Sequence, residues 1–418
     1  MSTTPLSPAT PWPVRPLTDE DWEEYVALDS HAFGATMPEE TITADRALHR
    51  GARSIGAHDG TTLAGIATAY SYDISVPRGC SIPAAAISWV GVLPTHRRRG
   101  VLRALMTSQL HSIHEAGREP LAILWASEPQ IYGRFGYGMA TRGLSLTVPR
   151  DPRALLTTVA SDPSLRLRLV DAADWKTTAG VYDAVASVRP GMPARDELWW
   201  GQAVQDIPAM REGRSELRCV VAEDDGGVRA YARYRTKQSF DDGFGSGVVS
   251  VREVMGVDPA ALASLYRYLF DLDLMGSTEL WHRPVDDPLM SWLQNPRRAK
   301  PILGDALYVR LVDLPRALGG RTYTTTIDVV IEVSDETCPW NAGRWRLTGG
   351  RDGSTCDRTG DPADIALAVG DLGASYLGGT TLSELMLAGR VEERRAGAVA
   401  AAGAAFAHSP APWCPAVF

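Results

Sequence analysis

The chain has 418 residues, of which 44% are hydrophobic and 22% are charged, and its formal net charge is −8 at pH 7. This composition is typical of a globular protein with full-sized cores, and the negative charge argues against a protein that coats nucleic acid or an anionic membrane. The sequence contains no apolar run of about 18 residues or more, so no membrane-spanning helix is predicted. Residues 1–16 lack the pattern of a secretory signal, and we therefore expect a cytoplasmic protein. The five cysteines are scattered without a CxxC pair, which favours free thiols and predicts no bound metal.

The first block of the chain, residues 1–150, contains its most informative stretch. Residues 87–92 form a β-rich run, and after a short loop the basic turn Arg97-Arg98-Arg99-Gly100 opens a predicted helix over residues 100–116. Apolar residues recur along one face of this helix, at Leu102, Leu105, Met106, Leu110 and Ile113. Gly117 is placed to end the helix, and residues 121–125 predict the next strand.

A strand followed by a basic glycine turn and a helix is suited to an anionic ligand. The N–H groups of the first helical turn have no intrahelical partner, and the helix dipole adds positive charge at that end. A pyrophosphate fits there, arginines add charge-assisted hydrogen bonds, and Gly100 lets the backbone approach the phosphate. An ordinary solvated helix start fits the same residues, so the turn alone does not decide. A P-loop is excluded because the chain has no GxxxxGKS or GxxxxGKT, and a Rossmann site is excluded because the turn lacks GxGxxG.

Two nearby prolines, Pro149 and Pro152, predict the boundary at which a second block, residues 151–304, begins. Both blocks open with a short strand, a capped helix start and a helix. The second block also repeats the strand, loop and helix order over residues 251–272, with Asp258 suited to the helix cap and Pro259 to the first helical position. Two matches in the same order predict a duplicated domain. The second loop lacks the arginine–glycine turn, so only the first copy is expected to bind a pyrophosphate.

The third block, residues 305–418, differs from the other two. Its pattern predicts strands over residues 324–333 and 345–347 and helices over residues 381–387 and 396–406, which indicates a small α+β domain.

Two motifs of the first block resemble a known family. The turn Arg97-Arg98-Arg99-Gly100-Val101-Leu102 resembles the acetyl-CoA motif of GNAT acetyltransferases, R/Q-x-x-G-x-G/A, although Leu102 departs from the small last residue. The run from Ala126 to Gly138, ASEPQIYGRFGYG, is similar to the Eis (enhanced intracellular survival) family of bacterial acetyltransferases. The resemblance covers the whole chain.

This resemblance implies a mixed α-β and α+β fold of three domains. Residues 1–150 would form the catalytic, acetyl-CoA-binding GNAT domain, and residues 151–304 a degenerate GNAT domain. Residues 305–418 would form a sterol-carrier-protein-like α+β domain that supplies the C-terminal carboxylate. The resemblance further implies a homo-hexamer, built as a trimer of dimers.

The resemblance also implies catalytic roles for individual residues. Tyr132 matches the family's proton donor to the coenzyme A sulfur, which leaves Tyr137 to packing, and the α-carboxylate of Phe418 matches the general base. A phenol with a pKa of about 10 stays protonated at neutral pH. A carboxyl group with a pKa of about 3.5 is too acidic for a base, so we expect the last residues to be buried in a cleft, where desolvation raises the pKa. The expected acetyl-CoA contacts are Val90, Gly91, Val92, Arg98, Arg99, Gly100, Val101, Leu102, Arg103, Ser127 and Glu128.

The acceptor site is predicted less directly. Trp89 precedes the cofactor strand, and Asp29 and Phe33 lie after the first helix, so these three are candidate acceptor contacts; ordinary packing fits each of them equally. The expected reaction is acetyl transfer to an amine of a small cationic, aminoglycoside-like acceptor or to lysine side chains. Two alternatives stay open: a non-catalytic protein that binds a small ligand or lipid in its third domain, and an enzyme that uses a different acyl donor.

Overall fold

A computed structural model describes residues 12–151 and 153–418 of the chain. Within these ranges the chain forms two sheets of seven strands, one sheet of five strands and a separate pair of short strands. No helix of the described residues is both long enough and apolar enough to cross a membrane.

The first part of the chain supplies six strands and four helices. The strands are β1 (Val14–Pro16), β2 (Arg53–Asp59), β3 (Thr62–Val76), β4 (Cys80–Val92), β5 (Leu121–Trp125) and β6 (Gly138–Met139). The helices are α1 (Trp22–Phe33), α2 (Glu39–His49), α3 (Val101–Ala116) and α4 (Pro129–Tyr132). The predicted helix over residues 100–116 is thus confirmed as α3, and the predicted strand over residues 87–92 is the end of the longer β4.

The middle part of the chain repeats this pattern. Its strands are β7 (Arg142–Pro149), β8 (Arg166–Val170), β9 (Arg218–Asp224), β10 (Gly227–Lys237), β11 (Phe240–Asp241), β12 (Phe244–Gly245), β13 (Gly247–Gly256), β14 (Met275–Pro284) and β15 (Ile302–Asp305). Its helices are α5 (Lys176–Ala186), α6 (Glu197–Val204), α7 (Pro259–Phe270) and α8 (Leu289–Trp292).

The last part of the chain contains shorter elements. Its strands are β16 (Leu307–Leu311), β17 (Ile327–Ser334), β18 (Gly343–Gly350), β19 (Gly353–Arg358), β20 (Ile365–Ala368) and β21 (Val391–Glu393). Its helices are α9 (Leu314–Gly319), α10 (Val369–Ser375), α11 (Leu382–Leu387) and α12 (Ala398–Phe406). The five-stranded sheet has the order β19-β18-β17-β20-β21. It shares one buried cluster with the first sheet, in which Ile74 and Leu121 belong to the same core as Ile331 and Leu372.

The two large sheets exchange strands. The first sheet has the order β1-β2-β3-β4-β5-β16-β6, and the second has the order β15-β7-β14-β13-β10-β9-β8. Residues 142–149, which the predicted bounds assign to the first domain, therefore lie in the second sheet, where they pair antiparallel with β14 and β15. Residues 307–311, assigned to the third domain, lie in the first sheet and pair antiparallel with β5 and β6. Each large sheet is complete only with a strand from outside its own block.

The parallel strands at the centre of each large sheet separate partway along their length. In the first sheet, β4 and β5 pair from Ala84 opposite Leu121 to Ile87 opposite Leu124, after which β4 continues to Val92 alongside β3 only. A bulge near Trp89, whose φ is +51°, accompanies the separation. In the second sheet, the corresponding strands β13 and β14 stop pairing at Val251. The shared opening is consistent with the predicted duplication.

Candidate active site

The open edge of β4 is the first component of the site. Beyond Ile87, no strand among the described residues pairs with β4 on the side that faces β5. Val90 and Val92 are half-buried there, and Gly91 is buried against Ala32 and Leu28 of α1. The backbone groups of this edge can therefore pair with an extended ligand that carries amide groups.

The N-terminus of α3 is the second component. Gly100 precedes the helix with a φ of +93°, a conformation that glycine adopts without strain, and its carbonyl accepts the first helical bond from the N–H of Ala104. The N–H groups of Val101, Leu102 and Arg103 precede that bond and are thus free of intrahelical partners.

The arginines of this turn differ in their contacts. Arg97 donates to the carbonyl of Ala32, and Arg99 lies 4.8 Å from the centre of the Trp12 ring. Arg98 and Arg103 are exposed, and neither has a hydrogen bond or ion pair within the part of the chain that the structure describes. Two unpaired guanidinium groups beside a helix N-terminus fit a pyrophosphate.

By contrast, the corresponding helix of the second domain has an occupied N-terminus. The carboxylate of Asp258 accepts a hydrogen bond from the N–H of Ala261 at 2.9 Å and forms an ion pair with Arg229. A negative charge already sits where a phosphate would bind. The predicted cap at Asp258 is confirmed.

Tyr132 and its loop lie beyond the end of β5. Tyr132 is the last residue of α4 and is buried, and its hydroxyl has no hydrogen bond to any described residue. Burial, and secondarily the charge of Glu128, raise the pKa of Tyr132 to about 12, so the phenol stays protonated at neutral pH. Ser127 and Glu128 are exposed in the loop between β5 and α4. Tyr137 packs edge-on with its ring centre 6.0 Å from that of Tyr132, and its own buried hydroxyl lacks a partner.

The C-terminal tail, residues 413–418, crosses the second domain and ends at the first. The backbone N–H of Trp413 donates to the carbonyl of Pro190, and its indole N–H donates to the carbonyl of His282 at 2.7 Å. Trp413 also belongs to a buried cluster with Met255 of β13, so it lies between the separated ends of β13 and β14. The ring of Phe418 lies 5.3 Å from that of Tyr72 on β3.

A cavity of about 1090 Å³ lies between the first domain, the second domain and the tail. Residues 415–418 form part of its wall, together with Trp89, whose indole N–H donates to the hydroxyl of Tyr70 at 2.9 Å. The last residue of the chain and the residue before the open β4 edge thus border one space.

The other two acceptor candidates are placed differently. Asp29 is buried behind the cavity wall, where burial, with a smaller contribution from the charge of Asp45, raises its pKa to about 6. Asp45 itself lines the cavity, and burial also raises its pKa. Phe33 ends α1 with half of its surface exposed and is not part of the cavity wall.

Most of the opposite wall comes from the second domain, which the sequence analysis did not place at the site. The ring of Trp199 packs at a tilt of 31° against that of Tyr72, with ring centres 4.4 Å apart, and Arg195 and Arg252 line the same wall. The local sequence feature that could have indicated this wall is the pair Trp199-Trp200, of which Trp200 is buried and Trp199 faces the cavity. Nothing in the described residues forms a group of three or more His, Cys, Asp or Glu that could hold a metal ion.

Three family models match the chain. Two are acetyltransferase (GNAT) domains, over residues 13–140 and 191–311, and the third is a sterol carrier protein domain over residues 314–415. With the open β4 edge and the α3 turn, these matches define the protein as a GNAT N-acetyltransferase, a class that takes its acetyl group from acetyl-CoA. The predicted tandem GNAT domains and the sterol-carrier-like third domain are confirmed, as is the prediction of an enzyme.

Whole-chain relatives narrow this further. An uncharacterized N-acetyltransferase of Streptomyces avermitilis is 45% identical over 404 residues, 96% of this chain and 98% of the relative. The N-acetyltransferase Eis of Mycobacterium tuberculosis is 32% identical over 402 residues, which cover 93% of this chain and 95% of the relative. The crystal structure of Eis1 from Mycobacterium abscessus, 34% identical, superposes with a TM-score of 0.82 over 97% of this chain and 100% of that one. The chain therefore belongs to the Eis family.

Proposed function

We propose that the enzyme acetylates an amine of a small cationic acceptor, either an aminoglycoside-like molecule or a lysine side chain, in the cavity between its first two domains. The observation that carries the proposal is that Trp89, Asp45 and the last residue, Phe418, all line this one cavity. Anionic groups on that side favour a bound ammonium.

Acetyl-CoA would supply an activated acetyl thioester, and this chain offers three groups of contacts for it. The backbone of Val90, Gly91 and Val92 would pair with the pantetheine amides along the open edge. The free N–H groups and arginines of the α3 turn, residues 98–103, would hold the pyrophosphate. Ser127 and Glu128, in the loop after β5, would lie near the acetyl end.

Two groups of the protein carry out the proton transfers of the reaction. The terminal carboxylate of Phe418 accepts a proton from the acceptor ammonium, which frees the nitrogen lone pair to bond to the acetyl carbon. Tyr132 donates its proton to the sulfur as the carbon–sulfur bond breaks, and the nitrogen loses a second proton as the amide forms. Tyr132 is reprotonated from the surroundings, so each turnover yields an amide, a free thiol and one released proton. The raised pKa of Tyr132 supports its role as a donor rather than a base.

A steady-state screen tests the proposal. Free thiol release from acetyl-CoA would be followed with polyamines, aminoglycosides and lysine peptides, and the products would be checked for one added acetyl group by mass spectrometry. We expect amine-dependent thiol release with at least one class. Thiol release that no amine stimulates above the hydrolysis rate of acetyl-CoA would contradict it.

We also propose, on the family resemblance, a homo-hexamer built as a trimer of dimers. The edge strand β15 exposes Ile302 and Leu303, and exposed apolar residues on a free strand edge are compatible with a subunit contact. Light scattering on the purified protein tests this, and a monomeric mass would contradict it.

A further inference from the structure

The cavity walls carry opposite charges, and this bears on which amine is acetylated. We propose that the acceptor carries an anionic group, a carboxylate or a phosphate, in addition to its amine, and that Arg252 binds this group. The inference rests on the proposed function, in that the acetylated group is an amine of an acceptor bound in this cavity, and it extends the acceptor class to amines that also carry an anion.

The wall next to the acetyl site is anionic. It contains Asp45 and the carboxylate of Phe418, with Asp29 buried behind it. In the described chain, no lysine or arginine lies within ion-pair distance of any of these three groups. Asp45 and the Phe418 carboxylate are thus available to an ammonium group, which the reaction requires on this side, and Asp29 adds negative charge behind them.

The facing wall contains an arginine without a counter-charge. Arg252 is exposed to the cavity, and its guanidinium donates to the main-chain carbonyls of Gln205 at 2.9 Å and Gln202 at 3.1 Å. No carboxylate of a described residue lies within 4.0 Å of it. The two carbonyls lie at the C-terminus of α6, which fixes the guanidinium in place without neutralising its charge and leaves further N–H donors unused.

The neighbours of Arg252 add positive charge. Arg211 and Arg235, both on the cavity wall, share the single carboxylate of Asp206. One carboxylate for two guanidinium groups leaves an excess of one positive charge. Enclosure of the guanidinium by the cavity walls and the positive charge of Arg235 lower the pKa of Arg252, and the charge of Glu253 opposes them in part; an arginine nevertheless stays charged at neutral pH.

The acidic residues of this wall offset the excess only in part. Glu212 pairs with Arg214, and Glu279 lies beside Ser250, 3.5 Å from its hydroxyl. Arg195 and Glu253 also line this wall and form an ion pair with each other at 2.8 Å. With the groups above, the wall therefore has five guanidiniums and four carboxylates. Its balance is cationic, opposite to that of the first-domain wall.

An acceptor that carries only amines would be attracted to one wall and repelled by the other. An acceptor that carries both an amine and an anionic group would be attracted to both walls. The planar fork of a guanidinium also matches a carboxylate or a phosphate in geometry. A cavity of about 1090 Å³ has room for a molecule with both groups.

Two matched pairs of substrates test the inference. Lysine differs from cadaverine by its carboxylate, and glucosamine 6-phosphate differs from glucosamine by its phosphate. With saturating acetyl-CoA, we expect kcat/KM to be about tenfold or more higher for the anionic member of at least one pair, mainly through KM. The pair that shows the difference identifies which anion is recognised.

Variants of Arg252 locate the effect. R252Q should lower kcat/KM by roughly 10- to 100-fold for the anionic member and leave kcat/KM for the amine-only member equal or higher, because it removes a repulsive charge, whereas R252K, which keeps the charge, should retain part of the preference. R166Q is the matched control, because Arg166 is an exposed arginine on a strand of the same domain, away from the cavity. Its kinetics should equal those of the unaltered enzyme.

Three results are decisive. Equal or higher kcat/KM for cadaverine, for glucosamine and for the polycation kanamycin than for the anionic substrates overturns the inference while the proposed function stands. An equal loss of kcat/KM for both members of a pair in R252Q and R252K also overturns the inference, because that loss would reflect a structural change and not lost binding of the anion. No acetylation of any amine overturns the proposed function itself.

Discussion

Two tyrosines with the same chemistry occupy different surroundings at the active site. Tyr132 ends a short helix beside an exposed loop, with its hydroxyl free, whereas Tyr137 lies deeper in the same cluster, and burial raises the pKa of its phenol. Only the first can exchange its proton readily with a substrate and with solvent. This difference in position supports Tyr132, rather than Tyr137, as the proposed proton donor.

Replacing Tyr132 by Phe should therefore lower kcat by about 10² or more, the usual contribution of a positioned acid, with a small change in KM for acetyl-CoA. Y137F is the control. It removes a buried hydroxyl that has no partner, so activity should persist and the free energy of unfolding should stay equal or rise. Steady-state kinetics and thermal unfolding measure both, and a Y132F enzyme with unaltered kcat would exclude this tyrosine as donor.

Asp29 predicts a pH dependence of stability. Its folded-state pKa of about 6 lies above the ordinary value of 3.8, so the folded protein binds this proton more tightly than the unfolded chain. The stability associated with that proton is fully present below pH 4 and is lost as the pH rises through 6. D29N should thus raise the free energy of unfolding at pH 7.5 by about 1 to 2 kcal/mol and change it little at pH 4.

Urea unfolding at the two pH values measures this effect. D273N is the matched control, since Asp273 is almost fully exposed and its ion pair with Arg150 contributes little. If D29N gave the same stability change at both pH values, burial of its charge would not be the cause.

At the scale of elements, the second GNAT domain retains the strand separation of the first but uses it differently. The cap at Asp258 occupies its helix N-terminus, and Trp413 fills the space between β13 and β14. The opening that would receive a cofactor in an active copy instead anchors the tail. This anchor directs the last four residues, 415–418, into the cavity between the two domains.

Deleting Phe418 should therefore lower kcat by about 10² or more and leave KM for acetyl-CoA nearly unchanged, because the new terminal carboxylate would lie about 3.5 Å back along the chain. F418L is the control, since it keeps the length and the carboxylate and should retain most of the activity. A deletion variant as active as the F418L enzyme would show that the terminal carboxylate is not the base.

Local elements could be predicted because their signals are local. The apolar stripe and the glycines at positions 100 and 117 place α3 within one residue of its observed start, and residues 121–125 match β5 at both ends. The partners of β7 and β16 could not be predicted, because neither strand carries a local pairing signal and the strands they pair with, β14 and β5, lie more than 100 residues away in the chain. For the same reason a role for Arg252 could not be predicted from the sequence, because it reaches the cavity only through domain packing and belongs to no recognisable motif.

At the scale of the whole molecule, the exchange of β7 and β16 makes the two large sheets interdependent. Without β16, one edge of β5 and one edge of β6 in the first sheet would be unpaired, and without β14 and β15 of the second block, β7 would have no partner. Unpaired strands of this kind favour aggregation. The two GNAT domains are thus expected to fold and unfold together.

Fragments test this interdependence. Residues 1–150 alone should show no cooperative thermal transition by circular dichroism, whereas mixing them with a fragment of residues 151–418 should restore one. A cooperative transition in the isolated first fragment would show that its sheet is stable without β16.

The same exchange sets an order of events on the ribosome. Residues 1–150 emerge early, but the strand that completes their sheet is made only when synthesis reaches residue 311, roughly 10 to 30 s later at bacterial elongation rates. During that interval the nascent first domain lacks the strand that pairs between β5 and β6. Chains that terminate early would keep these strand edges unpaired, so we expect chaperones and proteases to bind them as incompletely folded proteins. Such chains would not persist as partly active enzyme.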